Sequence, residues 1–409
     1  MGYHLPEQFQ EFGEARRAGF LRVKELKESG KRVAGIFCTF TPVEILDAAG
    51  FTSVSLCGMS AETIPVAETR LPKNLCPLIK SSYGFALSDK CPYTYFSDLI
   101  VGETTCDGKK KMYELLNEKR PTYVLHLPQG HDGDPLTAWT KELHRFIAYL
   151  EENFGITITE EALREAARVR NEERRERLKL MELQKQTPPP MSGLQLYQTL
   201  EGAGFLFDSD QKIRRMRELR EAVQQEAEQK KANQNCAGQK QTGQGETEPD
   251  TKDQDQQKPE QFAGKKRILV TGCPIGGVLQ KTVKTMEESD AVVVCFENCS
   301  GIKAAFQMVD MEAEDIVEAI AARYLEIGCS VMTPNTKRIG LIERLIREYQ
   351  IDGIVEIDLQ ACTPYTVEAY TIRQLAKEKH VPYLAIETDY SQNDSGQLAT
   401  RIEAFLELL

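Results

Sequence analysis

Eleven cysteines stand against five histidines and a single tryptophan in this chain of 409 residues. A thiolate is a soft metal ligand, a nucleophile and a redox group, so the placement of the cysteines decides what chemistry to expect. An odd number cannot close wholly into intramolecular disulfides, and the chain is far longer than a disulfide-stapled scaffold. Structural zinc sites usually show CxxC pairs. Here the closest pair, Cys295 and Cys299, is spaced CxxxC. Ligands scattered over the whole chain suit a cluster buried between two domains better than a zinc knuckle.

Other chemistries find less support. The five histidines form no HExxH pattern, no GxSxG elbow is present, and no G-x-x-x-x-G-K-[ST] loop exists for a phosphate-binding ATPase. Gly272–Gly277 (GCPIGG) lacks the GxGxxG register and contains Pro274, so it reads as a tight strand-to-helix turn. His126 and His131 flank a Pro-Gln-Gly turn and read as surface or satisfied core residues. Lys109–Lys111 reads as a solvated helix face, open to an acidic partner or ligand. Glu103, Glu297 and Glu387 lie near strand ends and are candidates for delivering protons, although exposed structural carboxylates are commoner.

The elements that must position the thiols follow from short apolar runs. Val33–Phe37, Ser53–Leu56, Asp98–Val101 and Tyr123–Leu127 read as strands in the first half. Arg267–Val270, Ala291–Val294, Gly353–Ile357 and Tyr383–Ile386 read as strands in the second. Helical patterns alternate with them, which predicts βαβ units and parallel sheets. A largely helical section covers 137–228, with Thr159 as an N-cap and Pro188–Pro190 as an interruption. DLIVGETTC and DGIVEIDLQAC share one plan, so the halves look like weak copies. The expectation is two doubly wound α/β domains, Rossmann-like, at 1–230 and 263–409. A flexible polar linker at 231–262, almost devoid of large apolar residues, joins them. Cys236 falls in that linker and drops out as a ligand.

In open parallel sheets, ligands bind beyond the carboxyl ends of the strands. Cys38, Cys57, Cys106, Cys273, Cys299 and Cys362 all follow predicted strands. Cys57 and Cys295, each beside a strand, read as small core residues. Cys76, Cys106, Cys299, Cys329 and Cys362 sit in polar turns, where ligation is the more natural role; Cys91 is undecided. A net charge of −11 argues against a general binder of nucleic acid or anionic membrane. With no signal segment and no apolar run of membrane-spanning length, the expected compartment is the cytoplasm.

The stretch LPKNLCPLIKSSYGFALSDKCPYTYFSDLIVGETTCDGKKKMYELL resembles the 2-hydroxyacyl-CoA dehydratase and benzoyl-CoA reductase family. So do ILVTGCPIGG, ENCSGIK, GCSVMTPN, DGIVEIDLQACTPY and ETDYSQNDSGQLATRIEAFLE in the second half. Within that family the chain looks most like the double-cubane cluster proteins. The resemblance implies 4Fe-4S iron–sulfur chemistry, oxygen sensitivity, and a separate ATP-hydrolysing iron–sulfur activator that donates single low-potential electrons. By motif, Cys76, Cys106 and Cys362 match the positions that hold one cubane. Cys273, Cys299 and Cys329 are the choice for a second, with Cys38 competing for a place. The implied function is reduction of a small unsaturated substrate at a double cubane by a homodimer. The alternative is a subunit of a radical 2-hydroxyacyl-CoA dehydratase with one 4Fe-4S cluster, and a further one is a non-enzymatic metal-binding scaffold.

Overall fold

A computed structural model describes residues 8–130, 133–237 and 262–409 of the chain. The first half contains β1 (Arg32–Ile36), β2 (Phe51–Ser55), β3 (Leu99–Glu103) and β4 (Thr122–Leu125). Between and before them run α1 (Gln8–Glu28), α2 (Val43–Ala48), α3 (Ile64–Ala67), α4 (Pro77–Leu87), α5 (Pro92–Phe96) and α6 (Asp107–Leu116). The helical section supplies α7 (Pro135–Phe154), α8 (Glu160–Glu182), α9 (Gly193–Ala203) and α10 (Ser209–Ala237). The second half contains β5 (Lys266–Gly272), β6 (Ala291–Phe296), β7 (Gly353–Leu359) and β8 (Tyr383–Thr388). Its helices are α11 (Val283–Glu288), α12 (Ile316–Leu325), α13 (Thr336–Glu348), α14 (Thr363–Glu378) and α15 (Ser395–Leu406).

All eight expected strands form, in two four-stranded sheets whose every pairing is parallel. Their orders are β2-β1-β3-β4 and β6-β5-β7-β8. Counted within each half, both read second, first, third, fourth, so the internal copy expected from the sequence is present in the topology. β3 and β7 are buried along their whole length, as strands covered by helices on both faces must be. Leu99–Val101 opens β3 and Gly353–Val355 opens β7 as apolar runs accordingly, with the carboxylates Glu103, Glu356 and Asp358 buried further along.

The helical section joins the halves. Asn171 on α8 donates to Val309 O at 2.8 Å and accepts from Val309 N–H at 2.9 Å, a two-way clamp onto the second half. Arg164 on the same helix donates to the carbonyls of Ala313 and Glu314, each at 3.0 Å. Glu287 accepts from the N–H groups of Gly193 and Leu194, which fixes the start of α9 beside β6. Thr159 caps α8 as expected, accepting from Ala162 N–H. Helix α10 continues to Ala237, so the first residues of the expected linker are helical; 238–261 lies outside the described residues, as does His131. Among the described residues no helix is long and apolar enough to cross a membrane.

Candidate functional site

The carboxyl ends of the strands do gather the thiols. A cavity of about 590 Å³ is lined by Cys38, Cys57, Cys76, Cys106, Cys299, Cys329 and Cys362. Cys38 lies two residues past β1, and Cys57 two residues past β2. Cys76, Cys106 and Cys362 are the N-caps of α4, α6 and α14, so each thiol stands at a helix start. Cys76 and Cys362 are each followed within two positions by proline, whose fixed φ suits a first helical turn. Cys299 is in the turn after β6, and Cys329 follows α12. Among the described residues no disulfide joins the cysteines that line the cavity.

Within this set two groups of three can be distinguished. Cys362 raises the Cys76 thiol and Cys273 raises that of Cys362, so these three are neighbours. Cys273 is 1% exposed and lies behind the cavity wall. Its Sγ accepts from Leu359 N–H at 3.1 Å, and its own N–H donates to Ile357 O at 3.2 Å. Cys38, Cys299 and Cys329 form the other group: Cys299 and Cys329 help to raise the Cys38 thiol, and Cys329 helps to raise that of Cys299. In both groups one thiol comes from the first half and two from the second. Gly272 sets up the first group: its φ is +113°, and a Cβ there would meet Ile357 O at 2.3 Å. Only glycine lets the chain turn so tightly before Cys273.

The remaining thiols divide between lining and core. Cys57 was expected in the core but lines the cavity, because β2 ends before it and turns it inward past the strand edge. Cys295 lies inside β6 and is buried, as expected. Cys91 caps α5 away from the cavity. Burial raises the Cys38 and Cys299 thiols above their ordinary values, and hydrogen bonding to Cys362 together with burial raises Cys76. Such thiols stay protonated unless a metal supplies the charge that ionises them.

Several polar residues that sequence reasoning placed in solvent belong to the site. Lys109 lines the cavity and donates to Phe37 O at 3.2 Å, while Lys110 and Lys111 pair with Asp107 and Glu114 on the outside. The lysine run is therefore a solvated face only in part: Lys109 sits on the side of α6 turned toward β1. Glu103 and Glu297 are wholly buried rather than exposed, and only Glu387 faces outward. Burial, offset in part by Thr41 and Lys109, pushes the Glu103 carboxyl up to about 7. Among the described residues Glu103 Oε2 has no hydrogen-bond partner, while the hydroxyl of Thr41, a cavity-lining residue, donates to Oε1. Glu297, against Lys303 and Arg338, is held below the carboxylate range despite burial.

Arg170, Arg174 and Arg177 project from one face of α8 into the same cavity, joined by Arg323 of α12. Arg170 pairs with Asp47 and Glu173, and Arg174 pairs with Glu44. Arg177, Arg323 and Lys109 make no ion pair among the described residues; Arg177 donates to Ser300 O at 3.3 Å. Burial lowers both unpaired guanidiniums, Arg323 to about 10. The i, i+4, i+7 spacing of the α8 arginines was the signal available in the sequence, but in a helix this rich in charge it looks like a solvated stripe.

Among the described residues no three Cys, His, Asp or Glu side chains close around a single metal ion. The thiols instead surround a space larger than one ion. Soft sulfur donors together with cations that have no carboxylate fit an anionic, thiolate-ligated group, and an iron–sulfur cluster is such a group.

The comparisons with known proteins agree with this architecture. The YjiM protein of Escherichia coli (strain K12), named provisionally as a dehydratase subunit, is 46% identical over 407 residues, covering 99% of this chain and 98% of its own. The (R)-phenyllactyl-CoA dehydratase beta subunit of Clostridium sporogenes is 23% identical over 392 residues, 95% of this chain and 94% of its own. The lactoyl-CoA dehydratase subunit beta of Anaerotignum propionicum is 22% identical, covering 93% of each chain. The family described as 2-hydroxyglutaryl-CoA dehydratase, D-component, matches residues 38–409, from the first cavity cysteine to the last residue. The chain belongs to that family.

Proposed function

We propose that this chain is an iron–sulfur enzyme subunit whose cluster lies in the thiol-lined cavity and is charged one electron at a time by a separate ATP-hydrolysing activator. The observation that carries this reading is the convergence of seven thiols, drawn from both halves, on one cavity that also holds cations without carboxylate partners. The bound group would supply low-potential electron transfer. Cys76, Cys273 and Cys362 would hold one part of it, and Cys38, Cys299 and Cys329 another. Cys106 remains a ligand candidate on the cavity wall. The protein's own contribution is to exclude water behind helices packed on both sheets and to keep a buried carboxyl, Glu103, in hydrogen-bond contact with a cavity hydroxyl, Thr41.

For the reaction, the names of the relatives favour removal of water from a small 2-hydroxyacyl-CoA thioester, with this chain as one subunit beside a different partner. A second reading is favoured by the grouping of the thiols. Two groups of three, six donors in one chain, suit a double cubane, and with it a homodimeric reductase of a small unsaturated substrate.

Anaerobic purification with iron and sulfide analysis tests the proposal, followed by assay with an ATP-dependent activator. About eight irons per chain supports the double cubane, and about four supports the single-cluster dehydratase. Dehydration of an acyl-CoA substrate only in the presence of a second, different subunit supports the dehydratase. Zinc in place of iron overturns both readings.

A further inference from the structure

The two groups of thiols have different electrostatic surroundings. Lys109 donates to the carbonyl of Phe37, the residue before Cys38, at 3.2 Å, and lines the cavity with Cys38, Cys299 and Cys329, while Lys303 reaches this group through Tyr365. Lys303 is wholly buried, and its Nζ donates to Tyr365 Oη at 2.8 Å. That hydroxyl lies 3.7 Å from Cys329 Sγ. Lys303 Nζ is also 3.2 Å from Glu297 Oε1, but Glu297 is shared with Arg338, which is buried as well. Lys109 makes no ion pair among the described residues, although its charge also acts on the buried Glu103 carboxyl.

Cys76, Cys273 and Cys362 have no ammonium or guanidinium among the principal influences on them. A backbone N–H group serves instead at Cys273, whose Sγ accepts from Leu359. The starts of α4 and α14 add fractional positive charge, about half an elementary charge each. The nearby acid, Asp358, is pushed up by burial to about 8.

Resting on the reading that the cavity holds an iron–sulfur cluster, we infer that Lys109 and Lys303 make the Cys38–Cys299–Cys329 group the place where an added electron settles. In a low-dielectric interior a whole positive charge beside sulfur stabilises added negative charge more than dipoles do, and so raises the local potential. One electron arrives from a one-electron donor, the donor is oxidised by one electron, and no bond is made or broken. The ammonium groups balance the added charge without a proton. Both lysines are positioning residues, acting through the sulfurs.

The test uses the full-length protein, purified anaerobically, with Lys109→Met and Lys303→Met. Iron content is measured first. Each protein is then poised with europium(II) chelates of graded potential, and the reduced form is read by electron paramagnetic resonance. The expected result is a fall on the order of tenfold in the ratio of reduced to oxidised protein at fixed potential, about 59 mV for one electron. Lys109→Arg and Lys303→Arg should restore the parent titration, and Asp358→Asn should leave it unchanged. If a Met variant loses iron, Lys109→Gln, which keeps a donor for Phe37 O, takes its place. Iron-loaded variants that titrate like the parent overturn the inference while the cluster reading stands. A parent chain that binds no iron overturns both.

Discussion

Tyr324 on α12 donates its hydroxyl to Glu44 Oε2 on α2 at 2.8 Å, while Arg174 on α8 holds the other oxygen of the same carboxylate. One buried carboxylate thus ties together the first sheet, the helical section and the second half. Tyr324 Oη also accepts from Val43 N–H at 3.1 Å, so the tyrosine serves the start of α2 as well. Tyr324→Phe should cost about 1–3 kcal/mol through the donor and acceptor left unsatisfied. Glu44→Ala should cost about 3–5 kcal/mol, because it leaves the Arg174 charge buried. Urea midpoints at neutral pH measure both, and a Glu44→Ala protein as stable as the parent would contradict this account.

The same carboxylate gives an acid-side dependence. Burial alone would raise Glu44, but Arg174, Arg323 and hydrogen bonds overcome it and hold its carboxyl below the usual range. A depressed native value contributes stability that is present above the unfolded-state pKa and lost as pH falls through the native one. Unfolding free energy measured downward from pH 6 should therefore fall less steeply in Glu44→Gln than in the parent.

Glu103 gives the opposite slope. Its carboxyl is raised to about 7, so the stability it contributes is complete below its unfolded value and is lost as pH rises through about 7. Glu103→Gln keeps an acceptor for Thr41 and removes the charge. In that variant the decline in stability between pH 5 and pH 8 should be shallower, by an amount on the order of 3 kcal/mol at most. Parallel pH–stability curves would rule out a buried, raised Glu103.

Single Cys→Ser substitutions should separate ligands from packing. Iron retention should fall in the Cys38, Cys76, Cys273, Cys299, Cys329 and Cys362 variants. It should be unchanged in Cys91→Ser, which lies away from the cavity, and in Cys295→Ala, which lies inside β6. Cys106→Ser and Cys57→Ser decide whether these two cavity-lining thiols are ligands or wall.

Gly272→Ala should be strongly destabilising although it adds only a methyl group. The left-handed φ and the 2.3 Å approach to Ile357 O cannot both be relieved. A cost on the order of 3 kcal/mol is expected, with loss of iron because Cys273 is displaced. Thermal unfolding together with iron content checks it.

Much of the architecture was legible because its cause is local. A parallel strand covered on both faces must be a short apolar run, and all eight were visible as such. The thiols at strand ends followed from those strands. How they group was not legible, because Cys38 comes to line one cavity with Cys299 and Cys329 only through the docking of two halves, of which spacing along the chain carries no trace. The lysine run concealed Lys109, since one residue of three turning inward leaves the pattern charged. Glu103 was read as surface because a carboxylate at a strand end usually is; its burial depends on α6 and Thr41 closing over it. The arginines of α8 were missed for the same reason, in a helix whose outward face is equally charged.

Each thiol group takes one member from the first half and two from the second, and Cys362 is close to the end of the chain. On the proposed reading, the amino-terminal half alone would supply a single sulfur to each group, too few to hold a cluster. The second sheet emerges with the other two, and the last of them arrives only with the start of α14. If the two groups hold a cluster as proposed, iron and sulfide would be retained only once both halves have docked, by a finished protein rather than a growing one.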